Sequence, residues 1–130
     1  MILIVDSGST KTDWIALDNN GNELFSTQTL GLNPQMLSNE ILNERIKNNF
    51  DIYKNRKVVE KLFFYGAGCG VESTQNRILK VFRSIFSKSE FDIKEDTYAA
   101  VFSAVDEGKP SIVNIIAVSY THLRAHETSF

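Results

Sequence analysis

Short apolar runs alternate with amphipathic segments along this chain of 130 residues. Apolar runs bounded by turn residues predict β-strands at residues 2–5, 14–17, 23–29, 62–65 and 91–93, and residues 109–116 are predicted to start a further strand. Helical spacing of apolar residues predicts helices at about 36–50 and 73–87, the second capped by Ser73, and small residues predict a third from Asp96 to Ala104. Because tight turns join the first three strands, they should form an antiparallel meander. The pattern indicates an α/β domain.

The composition is that of a globular domain without an obvious macromolecular ligand. Hydrophobic residues make up 42% of the chain and charged residues 23%, and the formal net charge is −2. This balance gives no reason to expect a nucleic acid or a membrane surface as partner. One cysteine, Cys69, excludes an internal disulfide and fits a reducing cytoplasm. The basic residues on the second helix are expected to be solvated, namely Arg77, Lys80 and Arg83.

A polar turn joins the first two predicted strands, and it contains Asp6, Ser7, Gly8, Ser9, Thr10, Lys11 and Thr12. A glycine lets the backbone approach an anion, turn amides and hydroxyls can donate to phosphate oxygens, and a carboxylate can hold Mg²⁺ through its water shell. The spacing excludes a P-loop, because Lys11 follows a threonine and the residues after it are extended rather than helical. The residues alone leave two interpretations: a phosphate-binding hairpin or an ordinary polar turn.

Glycine-containing segments follow the third and fourth predicted strands. Gly66-Ala67-Gly68-Cys69-Gly70 ends a buried apolar run, a position where backbone can approach a ligand at the carboxyl end of a strand. A flexible strand-to-helix turn is the alternative, above all for Cys69. Residues 30–34 contain Gly31, Asn33 and Pro34 and by themselves predict a loop and a helix cap.

The string from Asp6 to Trp14, Asp-Ser-Gly-Ser-Thr-Lys-Thr-Asp-Trp, resembles the first phosphate motif of the sugar kinase, heat-shock ATPase and actin superfamily. It is most similar to that of N-acetylglucosamine kinases and the related BadF/BadG/BcrA/BcrD-type ATPases. The resemblance implies a ribonuclease H-like (actin-like ATPase) domain, with a mixed five-stranded sheet that contains the meander and helices on both faces. It also implies ATP and Mg²⁺ as cofactors, with Asp6 holding Mg²⁺ through water and residues 7–12 holding the terminal phosphates.

The same resemblance assigns residues to the sugar. It implies that Asn33 lies near the sugar and that Gly66, Ala67 and Gly68, which are similar to a Tyr-Gly-Ala-Gly stretch of these kinases, line its site. Asp96, followed by two alanines, matches the aspartate that acts as general base on the sugar hydroxyl. By its pattern alone, Asp96 is a helix N-cap, and both roles are compatible.

The resemblance covers about residues 1–116, which we expect to be an N-terminal domain truncated before the second phosphate motif, a Gly-Thr-Gly-Ser turn. Residues 117–130 resemble a translated sequencing adapter and are predicted to be non-native. Because these kinases bind ATP between two domains and phosphoryl transfer depends on positioning, the fragment alone is expected to be inactive. Its expected partner is the missing C-terminal domain of the same chain, and a homodimeric parent is an open option.

Two alternatives to an amino-sugar kinase remain at this stage. An ATPase activator of a 2-hydroxyacyl-CoA or benzoyl-CoA type reductive enzyme shares the fold, but it bridges an iron–sulfur cluster through cysteines, and Cys69 in a glycine turn is not an obvious ligand. Trp14 also fits the kinases better. The other alternative is a non-catalytic module that senses a sugar or nucleotide, in which replacing Asp96 would leave binding unchanged.

Overall fold

The computed structural model describes residues 1–95. The predictions for Asp96, for the helix that begins there, for the strand at residues 109–116 and for residues 117–130 lie outside the described residues. The elements in chain order are β1 (Ile2–Ser7), β2 (Lys11–Leu17), β3 (Glu23–Leu30), α1 (Asn39–Lys47), α2 (Phe50–Lys54), β4 (Lys61–Gly66), α3 (Glu72–Ile85) and β5 (Glu90–Glu95). None of the helices within residues 1–95 has the length and apolar character needed to cross a bilayer.

The strands form one mixed sheet of five strands in the order β3-β2-β1-β4-β5. β1, β2 and β3 are antiparallel neighbours, which confirms the predicted meander. β4 is parallel to β1 and β5 is parallel to β4, so the carboxyl ends of these three strands lie at the same edge. The fold class predicted from the sequence, an α/β domain of the ribonuclease H-like type, is confirmed.

The sheet buries apolar side chains on both faces, because residues alternate between the faces along each strand. Leu3 and Val5 of β1 belong to a cluster that also takes buried residues from α1, α2 and α3. Ile2 and Ile4 belong to a second cluster, made only of strand residues among those described. The three described helices therefore cover one face. The helix predicted from Asp96, on which the expectation of helices on both faces depends, lies outside the described residues.

The chain between β3 and β4 departs from the predicted single helix. Ser38 caps α1 through a bond from the Ile41 amide to Oγ (3.3 Å), and Asn49 caps α2 through a bond from the Ile52 amide to Oδ1 (3.1 Å). The second cap is fixed by β3, because Asn49 Nδ2 also donates to Thr27 Oγ1 at 2.9 Å. The apolar period continues across this break, so the hydrophobic pattern alone predicts one helix.

Two further local features concern caps and turns. The predicted Ser73 cap is wrong, because α3 begins at Glu72 and its N-cap residue, Val71, makes no side-chain capping bond. In the β2–β3 turn, the amides of Asn20 and Asn22 donate to Asp18 Oδ1, both at 2.9 Å. The Asn22 bond is the largest cause that lowers the pKa of Asp18 below its usual value. Gly21 adopts φ +86°, which favours glycine.

An aromatic cluster under α3 gives a test of the packing. Phe82 is fully buried; its ring stacks on Phe91 with centroids 5.9 Å apart and meets Phe64 edge-on at 5.1 Å. Phe82→Ala should lower the free energy of unfolding by about 3–5 kcal/mol, because it leaves a cavity. Phe50→Ala, the same change at a side chain that is 74% exposed, should change it by less than about 0.5 kcal/mol. Urea denaturation followed by Trp14 fluorescence measures both, and equal effects would contradict this packing.

Candidate functional site

The candidate site lies at the sheet edge where β1, β4 and β5 end. Ser7 of β1 is aligned with Gly66 of β4, and Gly66 is aligned with Glu95 of β5. The Ala67 amide donates to the Ser7 carbonyl at 2.9 Å, which continues the contact between the chains beyond the strands. The parallel register therefore places the glycine segment 66–70 beside the β1–β2 turn, residues 8–11.

The β1–β2 turn is tight and presents part of its polar equipment to solvent. The Gly8 amide donates to the Lys11 carbonyl at 2.9 Å and closes the turn. Ser9, Thr10 and Lys11 are exposed, whereas the flanking Ser7 and Thr12 are fully buried. A ligand that approaches the turn would meet the two exposed hydroxyls and the lysine ammonium group.

The two buried hydroxyls of this hairpin have partners inside the protein. Thr12 Oγ1 lies 2.9 Å from Ser7 Oγ and 3.1 Å from the Leu30 carbonyl oxygen, and its hydroxyl can donate to either. Ser7 Oγ also accepts a bond from the Leu32 amide at 3.0 Å. These contacts give Ser7 and Thr12 a role in holding the turn against residues 30–32. Their contact with nucleotide phosphates stays a prediction.

Among residues 1–95, those that the resemblance assigns to the sugar lie together at the same edge. Gly68 has φ +81°, and a Cβ placed on it would lie only 2.0 Å from Asn33 Oδ1, so the Asn33 side chain rests directly on this glycine. Asn33 Oδ1 also accepts a bond from the Gln35 amide at 2.9 Å. Gly66 has a different reason to be glycine, because the Phe64 ring occupies the space of a side chain there. The structure thus brings Asn33 and the glycine segment into contact.

Asp6 has a carboxylate neighbour that the sequence analysis missed. Asp6 is aligned with Asp13 across the antiparallel β1–β2 pair, so both side chains project from the same face. Asp13 Oδ1 accepts a bond from Gln28 Nε2 at 2.7 Å. The sequence could have shown this pairing: if Gly8 and Lys11 close the turn, the next pairs along the two strands are Ser7 with Thr12 and Asp6 with Asp13. Carboxylate oxygens are the ligands that Mg²⁺ takes, so the residues present fit the metal predicted for Asp6.

Arg77 was expected to be solvated, and the structure gives it partners instead. Its guanidinium group donates to the Leu37 carbonyl at 2.8 Å and to Asn39 Oδ1 at 3.1 Å, and it also donates to the Pro34 carbonyl. Arg77 of α3 therefore holds the segment that follows Asn33. The amphipathic pattern could not reveal this, because an arginine on the polar face of a helix has the same spacing whether it is solvated or bonded.

Two hollows flank the site. A polar hollow of about 220 Å³ lies at the carboxyl ends of β4 and β5 and is lined by Cys69, Gly70, Gln75, Ile93, Lys94 and Glu95. A larger one of about 490 Å³ lies on the other side, between β3 and α1, and includes Lys11 and Arg45. The smaller hollow adjoins the residues assigned to the sugar. Ligands of parallel sheets bind at the carboxyl ends of the strands, so this hollow is the better candidate although it is smaller.

The strand order and the hydroxyl-rich turn after the first strand define an α/β domain of the actin-like ATPase fold. Among solved structures, the chain is similar to the crystal structure of a Porphyromonas gingivalis protein described as "Putative N-acetylglucosamine Kinase", with 29% identity and a TM-score of 0.71 over 82% of this chain. The match spans 38% of that protein's chain. Neither a protein-family model nor a curated protein matches the sequence. The domain is sugar-kinase-like, and membership of the BadF/BadG group stays a prediction.

The inward role of Thr12 can be tested with a matched pair of threonines. Thr12→Val should lower the free energy of unfolding by about 0.5–1.5 kcal/mol, because the hydrogen bond that the buried Thr12 hydroxyl donates to Ser7 or Leu30 is lost. Thr10→Val, at the exposed position two residues earlier, should change it by less than about 0.5 kcal/mol. Chemical denaturation of both variants measures this difference. A Thr12→Val variant as stable as the unaltered chain would show that the hydroxyl has no structural role.

Proposed function

We propose that this chain is the N-terminal domain of an ATP-dependent sugar kinase whose acceptor is N-acetylglucosamine or a related amino sugar. One observation carries the proposal: the exposed donors of the β1–β2 turn lie at the same sheet edge as Asn33 and Gly68. The similarity to the P. gingivalis protein supports the kinase class. Direct phosphoryl transfer needs the nucleotide and the sugar to bind next to each other, and one edge of the sheet can provide both binding sites.

On the nucleotide side, the exposed turn residues bind the terminal phosphates of ATP. The hydroxyls of Ser9 and Thr10 and the turn amides donate to phosphate oxygens, and the Lys11 ammonium group offsets their charge. Bound Mg²⁺ supplies further charge neutralisation. Asp6 would hold it through water, with Asp13 opposite as a second carboxylate. Mg²⁺ is commonly held by one or two carboxylates and keeps several of its waters.

On the sugar side, Asn33 and residues 66–68 contact the acceptor, and Asp96 is the general base. The oxygen of the sugar hydroxyl attacks the γ-phosphorus, the bond from that phosphorus to the bridging oxygen breaks, and ADP leaves. The hydroxyl proton passes to the Asp96 carboxylate. Asp96 lies outside the described residues, so its role rests on the resemblance and on its position in the chain directly after β5.

The proposal includes a second domain. This chain spans 38% of the length of the similar P. gingivalis protein, and residues 1–116 are proposed as the first of two domains that close on ATP. The 130-residue chain by itself is proposed to be inactive, because half of a cleft cannot position both substrates. Residues 117–130 are proposed to be a non-native tail, and the cytoplasm is the proposed location.

The burial of Cys69 argues against this cysteine as a ligand of a bridging iron–sulfur cluster. Cys69 is fully buried and belongs to the core cluster under the helices. A cysteine that bridges a cluster between subunits must reach the protein surface. A buried core thiol at this position therefore has a packing role.

The function can be tested on the complete polypeptide that contains residues 1–116. ADP release and ³¹P NMR should show ATP-dependent phosphorylation of N-acetylglucosamine. Asp96→Asn should lower kcat by about 10²-fold or more, because proton transfer loses its acceptor. Asp51→Asn, at a half-exposed carboxylate on α2, should leave kcat unchanged. Binding of sugar and ATP with no product would reject the kinase and favour the sensor.

A further inference from the structure

We propose that Gly31 is a positioning residue of this site. The absence of a side chain at Gly31 lets the backbone of the β1–β2 turn rest on residues 31–33, and this contact sets where Ser9–Lys11 lie relative to Asn33. The inference deepens the proposed function and rests on it for its kinetic consequences. The contact itself is a property of the fold.

The steric observation at Gly31 is direct. A Cβ placed on Gly31 would lie 2.5 Å from the Ser9 carbonyl oxygen, 2.8 Å from the Ser9 carbonyl carbon and 3.0 Å from the Gly8 carbonyl oxygen. All three atoms belong to the backbone, so no rotation of a side chain relieves the collision. Gly31 does not lie among the positive-φ glycines of the described chain, which are Gly21 and Gly68. Glycine is therefore required here by the close approach of two backbones rather than by its own dihedral angles.

Hydrogen bonds hold the same two segments together. The Gly31 amide donates to the Thr10 carbonyl at 3.0 Å. The Leu32 amide donates to Ser7 Oγ at 3.0 Å, at the base of the turn. Because these bonds lie on both sides of the steric contact, a displacement of residue 31 must displace the turn or break a bond.

Helix α1 also contacts Gly31. Arg45 Nη1 donates to the Gly31 carbonyl at 2.6 Å, and this bond is partly buried. Gly31 is thus held between the turn backbone and a guanidinium group. Two residues further along, Asn33 rests on Gly68. A single short segment therefore contacts both the proposed nucleotide side and the proposed sugar side, and Gly31 is where its distance to the turn is set.

The test compares Gly31→Ala with Gly21→Ala in the complete polypeptide. Gly31→Ala should lower kcat/KM for ATP by about 10²-fold, since misplacing reacting groups by about 1 Å has effects of this size. Gly21→Ala also disturbs folding, because of its φ of +86°, but a Cβ there meets nothing within 4 Å. It should leave kcat and KM within about twofold of the unaltered protein. A Gly31→Ala protein that folds and keeps unaltered kinetics would overturn the proposal.

Arg45 supplies a second, milder variant if Gly31→Ala does not fold. Arg45→Met removes the bond to the Gly31 carbonyl and should lower kcat/KM for ATP by about tenfold. Lys47→Met, at an exposed position on the same helix, is the control and should have no effect. A folded Arg45→Met protein with unaltered kinetics would show that the bond from Arg45 to the Gly31 carbonyl has no positioning role.

Backbone amide NMR separates this inference from the proposed function. If the unaltered polypeptide transfers no phosphate, the kinase proposal fails, and the amide resonances of residues 8–11 then decide the role of Gly31. They should shift in Gly31→Ala and in Arg45→Met but not in Gly21→Ala or Lys47→Met. Unshifted turn resonances in folded Gly31→Ala, or in Arg45→Met if Gly31→Ala is unfolded, would reject the positioning role whatever the activity of the protein.

Discussion

The rest of the structure depends on the pairing of β1 with a neighbouring strand on each side. Antiparallel pairing with β2 forces the chain to reverse within residues 8–11, and parallel pairing with β4 aligns Ser7 with Gly66. Since β1 lies between them in the sheet, the turn and the glycine segment must share an edge. The apolar side chains of β1, buried on both faces, hold this strand in place and with it the location of the site.

Buried polar groups then determine the shape of the turn. Ser7 and Thr12 are fully buried at the base of the turn, and a buried hydroxyl without a partner costs about 1–3 kcal/mol. Residues 30–32 supply those partners, and Gly31 lets the two backbones approach closely enough to form the bonds. The exposed residues of the turn are consequently held by hydrogen bonds at the base of the turn. Because buried residues fix the backbone of the turn, its exposed residues can present donors in a fixed arrangement.

The proposed kinase assigns a chemical role to each side of this edge. The turn provides donors and a cation for phosphate groups, while Asn33 and Gly68 form a surface of backbone and amide groups suited to a sugar. Arginines from two helices support the connecting segment, Arg45 at its start and Arg77 beyond Asn33. The similarity to a solved protein covers 82% of this chain and 38% of that one, and in the proposed kinase this domain is one wall of a two-sided cleft.

The sequence by itself determined the presence of the strands, the meander and the location of the loops that follow β3 and β4, because apolar runs and turn residues are local signals. The resemblance of residues 6–14 to a phosphate motif led to the prediction that the turn binds phosphates. Only the tertiary structure decided that α1 and α2 are separate, since Asn49 is held by Thr27 of a distant strand. It alone turned Ser7 and Thr12 inward and brought Gly31 onto the Ser9 backbone. These features depend on contacts between residues far apart in the chain, and no periodicity along the chain encodes which backbones will touch.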